Sequence, residues 1–160
     1  MSTNYKVEDY NYKERLEVLN LVFPEDLSFF PENFETANTK DDFVFTESIV
    51  DLNKLFRQEK ISANIFGEDT ELYRCRKDAD IYLPTIFFSL SILLENPHII
   101  SVSLNILSNY VYDRLKGGTE KKNTRIEFLI EKEKGKITKI SYEGDIEGLK
   151  GLEKVIKASK

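Results

Sequence analysis

Four charged residues in one short stretch, Arg74, Arg76, Asp78 and Asp80, offer the clearest suggestion of chemistry in this sequence. Two arginines two positions apart on a strand point to one face and could grip a carboxylate or a phosphate. Asp78-Ala79-Asp80 is a short carboxylate motif of the sort that can hold a hard cation such as Mg²⁺. Each also has a plainer role. The arginines can pair with neighbouring acids, and carboxylates just ahead of a helix favour its dipole. The plainer role is preferred for both. The four stay as candidate binding residues on one rim, open to use by a small enzyme or a ligand-binding domain.

The sequence has one histidine and one cysteine. His98 follows Pro97 at a predicted helix start, a capping position, and no spacing rule brings it to Cys75. A lone cysteine excludes a disulfide scaffold and a Cys-ligated zinc site, and the two residues are too few ligands for a transition metal. No metal and no other cofactor is expected, and the cysteine usage fits a reducing, cytoplasmic compartment. Gly144, Gly148 and Gly151 lack the spacing of a phosphate loop, so close helix packing is expected to explain them. Lys121, Lys122, Arg125, Lys132, Lys134, Lys136 and Lys139 are interleaved with Glu127, Glu131 and Glu133. The interleaving weakens any phosphate field, and a solvated hairpin guarding a sheet edge is expected. No Ser-His-Asp set, paired-carboxylate motif or nucleotide fingerprint is present.

The elements that must carry these residues are legible from Glu47 onward. Ile49, Leu52, Leu55 and Phe56 recur at helical spacing behind Ser48 and end near Glu59. Ile61, Ala63 and Ile65 alternate as a strand, and Glu71–Arg76 reads as a second, the two forming a hairpin across Gly67-Glu68-Asp69. Pro84 suits the first turn of a helix whose Ile86, Phe87, Leu90, Leu93 and Leu94 make a wide apolar face. Pro97 opens a second helix, stopped by Gly117-Gly118. Arg125–Ile130 and Ile137–Tyr142 form another hairpin around Lys134-Gly135, and Asp145 caps a last helix. The expected fold is α+β: an antiparallel or mixed sheet built from two hairpins, packed against a buried helical pair and a C-terminal helix.

Residues 1–160 are expected to form a single domain, with 1–46 a less regular acidic and aromatic N-terminal region and 47–160 the α+β body. At 160 residues and 41% hydrophobic content the chain can bury a core. The first twelve residues carry charges of both signs and no apolar run, so no secretion signal is expected. The net charge of −5 disfavours a general nucleic-acid binder. Residues 1–80 hold 10 Lys/Arg and 18 Asp/Glu, whereas 81–160 hold 13 and 10, so a charged functional face is expected in the first half. Between Ile81 and Tyr112 the one charge is Glu95, in Glu95-Asn96-Pro97-His98, which divides the span into apolar pieces of about 14 residues each, short of the ~20 that a crossing helix needs. A buried hairpin is preferred there over contact with a membrane.

The last third, RIEFLIEKEKGKITKISYEGDIEGLKGLEKVIK (Arg125–Lys157), is a strand-turn-strand-helix in which Tyr142-Glu143-Gly144-Asp145 passes the second strand to the helix. With the helices before it, from residue 47 onward, it resembles the effector-associated constant component modules of bacterial conflict systems. That resemblance implies an adaptor rather than a catalyst, and it carries over no functional residue. Together with the missing catalytic set it points to a non-enzymatic protein-binding or accessory component of a defence or toxin system. The partner expected is another protein, which Phe29, Phe30 and Phe34 in the aromatic segment 24–46 could meet. An immunity or antitoxin protein masking a basic toxin site is a sub-case.

Overall fold

The computed structural model describes residues 4–67, 73–74, 81–116 and 123–158. In chain order the elements are β1 (Asn4–Tyr10), α1 (Lys13–Leu19), β2 (Leu27–Phe30), β3 (Phe45–Thr46), α2 (Ser48–Gln58), β4 (Ala63–Ile65), β5 (Tyr73–Arg74), β6 (Ile81–Tyr82) and β7 (Thr85–Phe88). Then follow α3 (Leu90–Glu95), α4 (Ile99–Leu115), β8 (Thr124–Glu131), β9 (Ile137–Gly144) and α5 (Ile146–Ala158). One mixed sheet runs in the order β1-β9-β8-β7-β2-β4, and β6 also pairs with β8. The β1–β9, β8–β9 and β2–β7 pairs are antiparallel, while β7 and β6 run parallel to β8 and β4 runs parallel to β2. The α+β class read from the sequence is therefore the observed one.

The two-hairpin detail does not hold. Among the described residues only β8–β9 is a hairpin; its turn places Lys134 and Gly135 at φ 64° and 72°, a left-handed pair that glycine relieves. β4 does not turn back onto the strand that follows. It joins the sheet beside β2, and β5 pairs instead with β3 in a separate two-stranded ladder. Gly67 lies on the route between them at φ 86°, where a Cβ would come within 2.9 Å of the Phe43 ring. The buried helical pair is also corrected. Thr85–Phe88 is a strand, and only the short α3 precedes α4. A strand buried on both faces is apolar throughout, which over four residues cannot be told from a buried helix by periodicity. β6 and β7 act as one strand interrupted at Pro84, with the Ile81 and Leu83 N–H groups donating to the Asn123 and Arg125 carbonyls at 2.8 and 2.9 Å. The helix begins instead at Ser89, whose Oγ accepts from the Ile92 N–H at 3.1 Å.

The two faces of the sheet are covered differently. In β8, Ile126, Phe128 and Ile130 alternate with Arg125, Glu127 and Leu129, so one face is apolar along its length. That face carries the helices. Phe29 of β2 meets Phe56 of α2 edge-on at 5.7 Å, Leu149, Leu152 and Ile156 of α5 are buried, and α4, which leaves Asn105, Asn109 and Tyr112 exposed, lies between α2 and α5. The opposite face is covered over β2 and β7 and over the Leu129 and Ile137 ends of β8 and β9. There Phe87 stacks with Phe23 and Phe30, each at 5.2 Å, and Phe30 stacks on Phe66 at 4.2 Å and touches Phe34 at 5.0 Å. Arg15 of α1 pins the covering segment by donating from Nη2 to the Phe34 and Ala37 carbonyls at 2.7 and 2.5 Å.

Phe29, Phe30 and Phe34 are thus 0%, 1% and 4% exposed and cannot meet a partner. Their aromatic payload is spent on the core, because segment 24–46 substitutes for a second helical layer. Close packing accounts for Gly144, where a Cβ would strike the Tyr142 side chain, but not for Gly151, which has nothing within 4 Å. No described helix is long and apolar enough to cross a membrane. Replacing Phe30→Ala should cost about 3–5 kcal/mol in urea unfolding, the usual penalty for emptying a fully buried aromatic site. A cost under 1 kcal/mol would mean that this ring is not part of the core.

Candidate functional site

Beyond the aromatic cover, the same face of β8, β9 and β1 is open and polar. The two-residue period of three adjoining strands fills it. β1 contributes Lys6, Glu8 and Tyr10, β9 contributes Lys139, Ser141 and Glu143, and β8 contributes Arg125 and Glu127. Registration sets Arg125 directly opposite Glu143, Lys6 opposite Ser141 and Glu8 opposite Lys139. A cleft of about 490 Å³ runs over this surface, lined among others by Lys6, Tyr82, Thr85, Arg125, Glu127 and Glu143. A smaller cavity of about 60 Å³ adjoins it beneath Tyr12, Glu35 and Lys139. Glu32, Thr85 and Glu127 line both.

Most of these charges are paired. Lys6 Nζ lies 2.5 Å from Glu8 Oε1, and Arg125 Nη2 lies 3.1 Å from Glu143 Oε1, with the guanidinium 5.2 Å from the Tyr82 ring centroid. Lys139 Nζ lies 3.0 Å from Glu35 Oε1 and 3.6 Å from Glu127 Oε2, and 5.0 Å from the centroid of Tyr10. The Tyr12 hydroxyl donates to the same Glu35 oxygen at 2.9 Å. Two carboxylates therefore share one ammonium. Among the described residues of this group, Lys6, Arg125 and Lys139 each lie closer to another carboxylate, which leaves Glu127 as the surplus anion.

Titration behaviour follows the geometry. Burial pushes the Glu127 carboxyl above its ordinary value and nearby Glu35 adds to this, while Lys139 opposes both. Burial alone would lower the Lys139 ammonium, but Glu127 and Glu35 outweigh it and hold it above its usual range. The Lys6 hydrogen bond, reinforced by that of Tyr10, holds Glu8 below the carboxylate norm.

Comparison of the chain with protein-family models, with curated proteins and with solved structures returned no match.

The sequence-derived candidates are not what builds it. Arg76, Asp78 and Asp80 lie outside the described residues; Arg74 lies on β5, paired in register with Thr46, its side chain likewise outside the description. His98 is exposed at the start of α4, the expected helix-start position. Among the described residues no cluster of three or more His, Cys, Asp or Glu could hold a metal ion. Lys139 departs from the solvated role expected of the basic hairpin, because its side chain is only 12% exposed. Alternation along β8 and β9 placed Arg125, Glu127 and Lys139 on one face and was the available signal. Nothing local announced Glu35 and Tyr12, which reach Lys139 and Glu35 through the covering segment.

Because its carboxyl titrates higher in the folded than in the unfolded chain, Glu127 favours folding most below the unfolded value near 4.3, and that contribution is lost as pH rises through the folded value. At pH 7 it therefore costs stability. Glu127→Gln should raise the melting temperature at pH 7 by about 1–2 °C, a small gain because the side chain is 44% exposed. The gain should shrink towards zero at pH 4. A lower melting temperature for the variant at pH 7 would show that Glu127 is well compensated in the folded protein.

Proposed function

We propose that the protein is a non-enzymatic binding module, an accessory component that docks a basic segment of a partner protein on the open half of its sheet. Glu127 carries this reading: it is a half-buried carboxylate, in excess over its cations, at the junction of a 490 Å³ cleft and a smaller cavity. A lysine or arginine side chain brought to it would supply the missing positive charge and relieve the repulsion from Glu35. Tyr82, Tyr10 and Thr85 around it give aromatic faces and a hydroxyl suited to an extended, amphipathic peptide. The adaptor role implied by the resemblance of Arg125–Lys157 agrees with this. In its narrower form the partner is a toxin and the basic segment its working surface, which makes this chain an immunity protein; co-expression should then protect cells from that toxin.

A fluorescein-labelled, lysine-rich undecapeptide tests the reading against an acidic peptide of equal length by fluorescence anisotropy. The basic probe should bind and the acidic one should not. Added salt should weaken binding, and Glu127→Gln should weaken it about 3- to 10-fold, the scale of one partly screened ion pair. Affinity should also fall as pH is lowered through the raised Glu127 value, since the anion is what the probe meets. Equal binding of both peptides, or full affinity in Glu127→Gln, would overturn the proposal.

A further inference from the structure

The sheet ends at β1, and its outer edge has no strand partner among the described residues. A seven-residue edge with alternate N–H and C=O groups turned outward is a template for another strand unless something blunts it. Edges are often blunted by charge, and β1 carries Lys6, Glu8 and Asp9. The order of those charges matters, however. In a symmetric antiparallel pairing of two copies, the two-fold axis must pass through one residue position, and the choice of position decides which side chains face each other. Centring on Lys6 sets lysine against lysine, and centring on Glu8 sets glutamate against glutamate. Centring on Val7, the midpoint of Asn4–Tyr10, pairs all seven residues and puts unlike charges opposite one another twice.

We propose that β1 is a dimerisation edge, on which two copies pair antiparallel about a two-fold axis through Val7, with each Lys6 opposite the partner's Glu8. The other face of the strand agrees with this register. Tyr5 and Val7 are 54% and 45% exposed, among the few large apolar side chains left at the surface. In the Val7-centred pairing the two valines become direct neighbours, with a tyrosine diagonally on each side, so this exposed patch covers itself. The present Lys6–Glu8 contact lies along one strand at 2.5 Å, and both side chains keep an unlike charge beside them when the second copy arrives. The axis stands perpendicular to the sheet, so the open polar halves of both copies face the same side and join across the two β1 strands. This inference does not depend on what the cleft binds.

A single strand pair buries less than the ~1,000 Å² of a durable interface, so the association should be weak and is best followed by sedimentation velocity from about 5 to 500 µM. Wild type should shift from monomer to dimer over that range. Lys6→Glu should weaken the dimer at least ten-fold by opposing like charges twice, and the exchange Lys6→Glu with Glu8→Lys should restore it, with circular dichroism confirming that each variant is folded. Register is tested separately by oxidative cross-linking in a Cys75→Ser background. Val7→Cys should form a disulfide-linked dimer readily, and Tyr5→Cys should not, because the register sets Tyr5 opposite the partner's Asp9. A wild type that stays monomeric at 500 µM would overturn the proposal. So would a dimer indifferent to the charge reversal, or equal cross-linking at both positions.

Discussion

The structure hangs on the two-residue alternation of β8. This strand is paired on both sides, to β9 on one and to β6 and β7 on the other, so its backbone is satisfied and its side chains are divided strictly between two faces. Ile126, Phe128 and Ile130 commit one face to the helices. On the other face the character changes along the strand, from apolar Leu129 to Glu127 and Arg125. Where it is apolar, opposite Phe87, the face has to be covered; where it is polar, it can stay wet. The aromatic segment and the open cleft are two consequences of that one change.

This division explains which parts of the fold the sequence discloses. α2, α4, α5, β8 and β9 each lie at a boundary between a buried and a wetter surface, or end at a strong stop, so hydrophobic period and capping residues mark them. Asp145, for instance, accepts the Gly148 N–H at 2.8 Å as its place before α5 suggests. β7 fails that test because both its faces are buried: Ile86 and Phe88 face the helices while Phe87 faces Phe23 and Phe30, which leaves Thr85 at its start as the one polar position, too few to reveal a period of two. Pro84 then misleads by resembling a helix start, where Ser89 is the real cap. β1 and β2 are legible only from their partners, and β4 shows its alternation but not its place beside β2, since these strands pair with strands far away in the chain.

The candidate site was half legible for a related reason. Arg125, Glu127 and Lys139 share a face by local alternation, and the charge interleaving that argued against phosphate binding is what pairs them. The acidic residues that finish the cluster, Glu8 and Glu35, come from the first third, so the halves of the chain with opposite charge bias meet on this surface. The expected acidic face confined to the first 80 residues is replaced by a mixed one assembled across the sheet. Phe29, Phe30 and Phe34 suggest a docking surface because they are aromatic in a segment without regular period. In the fold Phe29 packs beneath α2, while Phe30 and Phe34 belong to the aromatic cover that does the work of a helix layer on the other face.

The working surface proposed for this protein is the uncovered half of the sheet, with Glu127 at its middle. Backbone amide shifts recorded while a lysine-rich peptide is titrated into the labelled protein test this most directly. The largest changes should fall on Lys6, Arg125, Glu127, Lys139 and Ser141, with little change on the exposed side of α5. Changes concentrated instead on the acidic exposed residues Glu14, Glu17, Asp41 and Asp42, with β8 and β9 silent, would contradict it.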